Sequence, residues 1–190
     1  MDKPFICVFC GSSSGDDPAF AQAARDIGAG LGRLGLGLVF GGGDLGLMGE
    51  TARAARAAGA PVQGILPGFL RDREPPLPHD ETTQIVPDLF VRKRLMMDRA
   101  FGFVVLPGGL GTYDEFFEVL IAAQLGVEAK PIIVVNVKGY FDALDAMIKA
   151  SVAHGFAKAN VCDLYSMAAD ADATLRLLAD QALAPSRNSL

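Results

Sequence analysis

The 190-residue sequence has no tryptophan, only two histidines and three cysteines, and no long apolar run. A membrane-spanning helix needs roughly 18 or more consecutive apolar residues, whereas glycine, proline or charge interrupts every hydrophobic stretch here. The opening Met1-Asp2-Lys3-Pro4 lacks the basic segment of a secretory signal, and the short apolar run from Phe5 is not succeeded by a cleavage site. We therefore expect no membrane association and a cytoplasmic location.

The scarcity of histidine and cysteine also bears on metal sites. His79 and His154 have no partner at a ligand spacing, and Cys7 and Cys10 lack the second ligand pair that a zinc site needs. Cys7 lies within the strand-like Phe5-Ile6-Cys7-Val8-Phe9, whereas a redox CxxC motif exposes its first cysteine at a helix start. We predict no metal site and two buried structural thiols.

Basic residues are not in excess, since the net charge is −5. Nucleic-acid binding usually requires a clustered basic face, and the one basic cluster is the three-residue Arg92-Lys93-Arg94. A cluster of this size suits a single phosphate group. The composition therefore excludes a nucleic-acid partner and leaves a small anionic ligand open.

Short runs rich in Val, Ile and Phe alternate with alanine-rich segments of helical period. The predicted strands are Phe5–Cys10, Leu36–Phe40, Val62–Leu66, Thr83–Val86, Phe103–Leu106, Ile132–Asn136 and Leu164–Met167. The predicted helices are Pro18–Leu34, Leu47–Ala58, Leu89–Ala100, Tyr113–Leu125, Tyr140–His154 and Ala171–Ala182. This alternation predicts a single α/β domain over residues 1–184, with a doubly wound, Rossmann-like parallel sheet flanked by helices and a flexible tail at 185–190. Ligands bind such sheets at the carboxyl ends of the strands.

Two glycine-rich loops after strands match known motifs literally. Gly11-Ser12-Ser13-Ser14-Gly15 has the form of a nucleophile elbow, but it comes after the first strand rather than one in mid-sheet. Gly41-Gly42-Gly43-Asp44-Leu45-Gly46 has the form of a dinucleotide loop, but the next strand ends at Leu66 without the acid that would hold the ribose. Both loops remain suited to a polar or anionic ligand. The proline-rich segment from Pro67 to Glu81 is predicted to be a loop or a lid over this edge.

A third loop, Pro107-Gly108-Gly109-Leu110-Gly111-Thr112-Tyr113-Asp114-Glu115, is the most informative. Its glycines let the backbone approach a ligand closely, and the next helix directs its N-terminus toward the same place. Thr112 and Glu115 have the spacing of a capping box, so Glu115 has two possible roles. It either closes the helix or presents a catalytic carboxylate.

Together these residues resemble the LOG family, the cytokinin riboside 5′-monophosphate phosphoribohydrolases, formerly mislabelled as lysine decarboxylases. The family's P-G-G-x-G-T-x-x-E motif is complete from Pro107 to Glu115, and its Arg-Lys pair is Arg92-Lys93. The family's Met-His before that pair is replaced by Leu89-Phe90. The resemblance implies a homodimer and a catalytic pair of Arg92 and Glu115. It also implies that Glu74, Lys93 and the turn Gly109, Leu110, Gly111 and Thr112 contact the substrate. From the three glycine-rich loops we add Gly11, Ser12, Gly42, Gly43 and Gly108 to the predicted substrate-binding residues. Because the sequence shows no metal cluster and singles out no lysine for pyridoxal phosphate, we expect no cofactor.

The residues themselves suggest how such a pair would act. Cleavage of an N-glycosidic bond develops positive charge on the ribose, which a carboxylate such as Glu115 can stabilise while it takes a proton from water. Arg92 cannot act as an acid, because its guanidinium stays protonated, but it can orient Glu115 or bind a ligand oxygen. Lys93 and the N–H groups near Gly109 and Gly111 are expected to bind the 5′-phosphate. A general AMP nucleosidase and a non-catalytic nucleotide-binding module remain alternatives.

Overall fold

The computed structural model describes residues 3–76, 82–128 and 130–183, with the side chains of 181–183 left out. The expected tail at 185–190, His79 and the end of the expected lid lie outside these residues. The strands are β1 (Phe5–Phe9), β2 (Gly37–Phe40), β3 (Val62–Pro67), β4 (Gln84–Val86), β5 (Ala100–Val105), β6 (Ile132–Val135) and β7 (Ser166–Ala168). The helices are α1 (Pro18–Arg33), α2 (Gly46–Ala57), α3 (Leu89–Arg99), α4 (Leu110–Gln124), α5 (Asp142–Ala153) and α6 (Ala171–Leu183).

The seven strands form one parallel sheet in the order β4-β3-β2-β1-β5-β6-β7. β1 lies in the middle, with Val8 paired to Phe40 of β2 on one side and to Val104 of β5 on the other. The direction in which the chain adds strands reverses between β1 and β5. Such a reversal opens a crevice at the carboxyl ends of the strands, which is where ligands bind in this class of sheet.

Helices cover both faces of the sheet, as a doubly wound fold requires. Residues of α1, α2 and α6 pack with one set of strand side chains, including Ile6, Val8 and Leu38. Residues of α3, α4 and α5 pack on the opposite face with Cys7, Phe9 and others. Because both faces are buried, the central strands are apolar at every position, and the predicted fold class is confirmed.

Several helix limits are set by local sequence. Asp17 caps α1 by accepting a hydrogen bond from the Ala19 N–H at 2.8 Å, directly before Pro18. Gly35 and Gly59 come after helix ends with φ of +71° and +78°, a conformation that glycine adopts without strain. Cys7 and Cys10 are buried free thiols, as predicted, and burial raises the pKa of both.

Two elements start three residues earlier than predicted. β5 starts at Ala100 instead of Phe103, directly after α3, because pairing with β1 extends the strand beyond its most apolar part. α4 starts at Leu110 instead of Tyr113, with Gly109 as its N-cap and no side-chain capping bond. The predicted capping box is therefore wrong, since Thr112 lies inside the first turn. None of the helices over the described part of the chain is long and apolar enough to cross a membrane.

Candidate active site

The loops after β1, β2 and β5 meet at the crevice in the middle of the sheet. The N–H of Gly11 donates to the carbonyl of Pro107 at 3.0 Å, and the carbonyl of Gly11 accepts from the N–H of Leu47 at 3.0 Å. A side chain on Gly108 would overlap Thr112 and lie only 2.6 Å from the Gly11 nitrogen. These loops therefore pack backbone to backbone, which explains why glycine recurs in them.

The N-terminus of α4 presents backbone N–H groups at this crevice. The N–H groups of Thr112 and Tyr113 both donate to the Gly109 carbonyl, at 3.0 and 3.2 Å. Those of Gly109, Leu110 and Gly111 have no hydrogen-bond partner within the described part of the chain. Free N–H groups at a helix start, together with the helix dipole, attract anions. Thr112 is buried with its N–H engaged, so the free donors precede it.

A cavity of about 310 Å³ opens beside these groups. Its walls come from the loop after β1, from Phe20 and Leu47, from the start of the β5 loop and from Tyr140. Gly11, Ser12, Gly108 and Gly109, all predicted to bind substrate, line it, and Ser12 is exposed there. The cavity thus combines hydroxyl groups and backbone donors with an aromatic wall.

Arg92 of α3 and Glu115 of α4 come together, with the Arg92 guanidinium next to Gly41 of the loop after β2. Arg92 Nη2 lies 3.9 Å from Glu115 Oε1, and the two side chains are 10% and 12% exposed. Any side chain on Gly41 would overlap the Arg92 guanidinium, so the β2 loop must be glycine there to admit it. The predicted catalytic pair is thus a buried ion pair whose atoms do not line the 310 Å³ cavity.

The environment of Glu115 favours its protonated form. Burial raises the pKa of Glu115 to about 7, and the nearby charges of Asp114 and Glu74 also raise it. The positive charges of Arg92 and Lys93 act in the opposite direction and lower it. A carboxyl group with a pKa near neutrality exchanges protons readily at working pH, as a general base or acid must.

Glu74 approaches the same place from the segment after β3. Its Oε2 would lie 3.8 Å from a Cβ placed on Gly43, and this oxygen is buried with no hydrogen-bond partner in the described residues. The N–H of Asp44 donates to the Pro75 carbonyl at 2.8 Å, and Gly43 and Pro76 form an isolated antiparallel β-bridge. The residues from Glu74 to Pro76 therefore lie against the β2 loop.

Lys93 takes a different position from Arg92. Its Nζ lies 2.9 Å from Asp114 Oδ2 and 2.5 Å from Glu118 Oε2, so it links α3 to α4. Burial is the largest single effect on the pKa of Lys93 and lowers it, but Glu118 and Asp114 together outweigh burial and raise the pKa above its ordinary value. Its charge is already balanced by two carboxylates, whereas the sequence predicts a phosphate contact.

The residues that replace the family's Met-His lie at the start of α3. Phe90 is 80% exposed and Leu89 is 43% exposed. Phe90 lines a surface groove of about 510 Å³ between α3 and α4, and its ring centroid lies 5.7 Å from Lys93 Nζ. The departure from the family pattern therefore falls on an exposed helix face.

Tyr140 lines the cavity but is not among the predicted site residues, because the sequence pattern places it in the first turn of a helix. The chain forms a turn there, and α5 starts only at Asp142. Its position shortly after β6, the neighbour of β5, was the available signal. Among the described residues, no group of three His, Cys, Asp or Glu side chains is arranged to hold a metal ion.

These features define an α/β protein with an anion-binding strand edge beside a buried carboxylate–guanidinium pair. A family model described as "Possible lysine decarboxylase" matches residues 48–178. A "Probable cytokinin riboside 5′-monophosphate phosphoribohydrolase" of Oryza sativa subsp. japonica is 42% identical over 173 residues, 91% of this chain and 76% of that protein. A cytokinin riboside 5′-monophosphate phosphoribohydrolase of Arabidopsis thaliana is 42% identical over 151 residues, 80% of this chain and 70% of that protein. The chain belongs to this family, the LOG family.

Solved structures with the same fold include a molybdenum cofactor carrier protein of Chlamydomonas reinhardtii. It aligns with a TM-score of 0.74 at 22% identity, over 97% of this chain and 100% of the other. A molybdenum cofactor binding protein of Rippkaea orientalis aligns with a TM-score of 0.74 at 19% identity, over 96% and 99%. At these identities the likeness concerns the fold alone.

Proposed function

We propose that the protein hydrolyses the N-glycosidic bond of nucleoside 5′-monophosphates, converting a cytokinin riboside 5′-monophosphate to free cytokinin base and ribose 5-phosphate. The observation that carries this proposal is the buried Arg92–Glu115 pair beside an anion-binding strand edge. Two buried polar atoms at this place have no hydrogen-bond partner in the described residues. One is Nε of Arg92 itself, and the other is Oε2 of Glu74, whose charge acts on Glu115. Buried polar groups are normally hydrogen-bonded, so these atoms favour a polar ligand such as ribose.

The reaction needs a group that stabilises positive charge and accepts a proton. As the bond from C1′ to the base breaks, ionised Glu115 stabilises the oxocarbenium-like sugar and takes a proton from the attacking water. The water oxygen bonds to C1′, the electrons of the broken bond leave with the base, and the proton on Glu115 passes to that base. Arg92 keeps part of the Glu115 population ionised, because its charge lowers the pKa of the carboxyl group.

Substrate binding is assigned to the groups around this pair. The free N–H groups of Gly109, Leu110 and Gly111 hold the 5′-phosphate, with Ser12 and Gly11 at the cavity wall. Glu74, Gly42 and Gly43 contact the sugar side. Lys93 is retained as a candidate contact, although its pairing with Asp114 and Glu118 favours a role in holding α3 against α4. The chemistry calls on no metal or organic cofactor.

One assay tests the proposal directly. Release of free base from AMP and from an N6-prenylated AMP is measured by chromatography, with Glu115→Gln as the inactive control. We expect release from both substrates, faster from the prenylated one. Equal rates indicate a general AMP nucleosidase, and tight nucleotide binding without any release indicates a binding module.

We also propose that the protein is a homodimer, joined through the groove face of α3 and α4. Phe90 and Val127, which line the groove, are 80% and 79% exposed, and Ile121 and Leu125 at the end of α4 are 52% and 70% exposed. We infer that these side chains form one apolar patch, and exposed patches of this kind mark interaction sites. The compartment we propose is the cytoplasm, where free thiols such as those of Cys7 and Cys10 remain reduced.

Light scattering coupled to gel filtration tests the dimer. Phe90→Asp places a charge in the proposed interface, and we expect it to yield a monomer. Phe156→Asp is the matched control, because Phe156 is 90% exposed and does not line the groove. A monomeric unmodified protein, or a dimer that survives Phe90→Asp, contradicts the proposal.

A further inference from the structure

The turn between β6 and α5 is built to fix the position of Tyr140. Lys138 and Gly139 both have positive φ, 55° and 73°, and the Asn136 side chain accepts from the Phe141 N–H at 2.7 Å. The same side chain donates to Asp142 at 2.7 Å. Positive φ is uncommon for residues other than glycine, and such strain persists only where the surroundings enforce it. The turn therefore holds Tyr140 in one place at the strand edge.

The Tyr140 side chain is held at its hydroxyl and at its ring, although it is 36% exposed. Its hydroxyl donates to the Gly108 carbonyl at 2.7 Å, and its ring packs edge-on against Phe20 and Phe141 at centroid distances of 5.5 and 5.0 Å. The hydroxyl also interacts with that of Tyr113 in the first turn of α4. One face of this residue lines the 310 Å³ cavity.

The hydrogen bond to Gly108 controls the next N–H group. In a trans peptide the carbonyl of one residue and the N–H of the following residue point in opposite directions, so fixing the Gly108 carbonyl fixes the Gly109 N–H. That N–H is one of the free donors at the start of α4. Glycines at 108, 109 and 111 give the loop wide conformational freedom, and no side chain of their own restrains it.

We propose that Tyr140 is a positioning residue for the anionic group of the substrate, acting through the Gly108–Gly109 peptide. This inference rests on the proposed function, because the anion in question is the 5′-phosphate of a nucleotide. Tyr140 orients the Gly109 N–H toward the phosphate before it binds and closes the aromatic side of the cavity. The loop then loses less freedom on binding, which favours affinity for the nucleotide over the nucleoside.

Tyr140→Phe removes the hydroxyl and keeps the ring. We expect kcat/KM for AMP to fall about tenfold, with kcat/KM for adenosine unchanged within about twofold. Inhibition by inorganic phosphate and by ribose 5-phosphate should weaken by a similar factor. Tyr113→Phe, which leaves the bond to Gly108 in place, should give a smaller loss in the same direction.

Tyr165→Phe is the matched control, because the Tyr165 hydroxyl donates to Asp145 at 2.7 Å and neither residue lines the cavity. It should leave the AMP-to-adenosine ratio unchanged even if it lowers the melting temperature. A merely structural role for Tyr140 predicts equal losses for both substrates. An unchanged ratio in an active Tyr140→Phe enzyme overturns this inference and leaves the proposed function standing.

Calorimetric titration with inorganic phosphate separates the two proposals. If the unmodified protein releases no base, the proposed function fails, and phosphate binding alone then decides on Tyr140. Weaker phosphate binding by Tyr140→Phe than by Tyr165→Phe supports the positioning role. Equal binding by the two variants overturns it.

Discussion

Replacing Glu115 with glutamine should stabilise the folded protein above pH 7 while it removes activity. Burial raises the pKa of Glu115 from an ordinary 4.5 to about 7, so the folded state binds more protons than the unfolded state between these values. The free energy of unfolding therefore falls as the pH rises through that interval. At about 1.36 kcal/mol per pH unit, ionised Glu115 costs the folded state on the order of 3 kcal/mol at pH 8.

Urea unfolding at two pH values measures this cost. At pH 8, Glu115→Gln should unfold with a free energy about 3 kcal/mol higher than the unmodified protein, a gain of roughly 6–12 °C in melting temperature. At pH 5 the unmodified residue is protonated in the folded state, so the difference should shrink to under about 1 kcal/mol. Turnover of AMP should fall by about 100-fold or more, as is usual when a charge-stabilising group is lost.

Glu50→Gln is a control of opposite sign. A hydrogen bond from the Arg25 side chain is the largest effect on the pKa of Glu50 and lowers it, so the Glu50 charge stabilises the folded state above its ordinary pKa. That stability is lost as the pH falls and Glu50 is protonated. Glu50→Gln should therefore reduce the free energy of unfolding at pH 8. If Glu115→Gln shows no greater gain at pH 8 than at pH 5, Glu115 is not a destabilised, buried carboxylate.

Three further predictions concern the reaction. The kcat/KM for AMP should rise with pH around a midpoint near 7, where Glu115 ionises. Arg92→Gln should move that midpoint upward, because the Arg92 charge lowers the pKa of Glu115. A midpoint that stays fixed in the variant argues against coupling between the two residues. AMP should be preferred over adenosine by about a hundredfold in kcat/KM, as two charge-assisted hydrogen bonds from the free N–H groups to the phosphate predict. Lys93→Ala should leave that preference within about threefold, since the Lys93 ammonium is already paired with two carboxylates. Comparable turnover of adenosine and AMP points to a nucleoside hydrolase. Activity should survive dialysis against a chelator. NAD should raise the melting temperature less than AMP does, because β3 ends at Pro67 without a ribose-binding acid. A larger shift with NAD supports a dinucleotide site instead.

The fold could be predicted from sequence because its determinants are local. Continuous apolar runs such as Phe103–Leu106 require burial on both faces, and caps such as Asp17 are legible in the chain itself. The start of α4 is different. Its N-cap is a glycine with no side chain to signal it, and its first residue, Leu110, is an apolar side chain left 86% exposed. The Thr112–Glu115 spacing therefore indicated a helix start three residues late.

For the candidate site, sequence reasoning proposes residues but does not indicate the contacts among them. Resemblance to the family supplied Arg92 and Glu115, and the structure brings them to 3.9 Å. The partners of Lys93, by contrast, come from another helix, and no spacing within α3 indicates them. Tyr140 is placed by a turn whose geometry depends on the Asn136 side chain and on two residues of positive φ. The hydrophobic period of the sequence does not indicate where such a turn places its side chains.

The strand order also has a consequence for how the chain is made. β1 leaves the ribosome before β5 and can pair with β2 early, but its other edge pairs with residues 100–105 of β5. At about 5 to 20 residues per second, roughly 5 to 20 s pass before that partner is synthesised. During this interval an apolar strand edge stays open to a neighbouring nascent chain. The sheet is therefore most exposed to co-translational aggregation along the same seam at which it later binds its ligand.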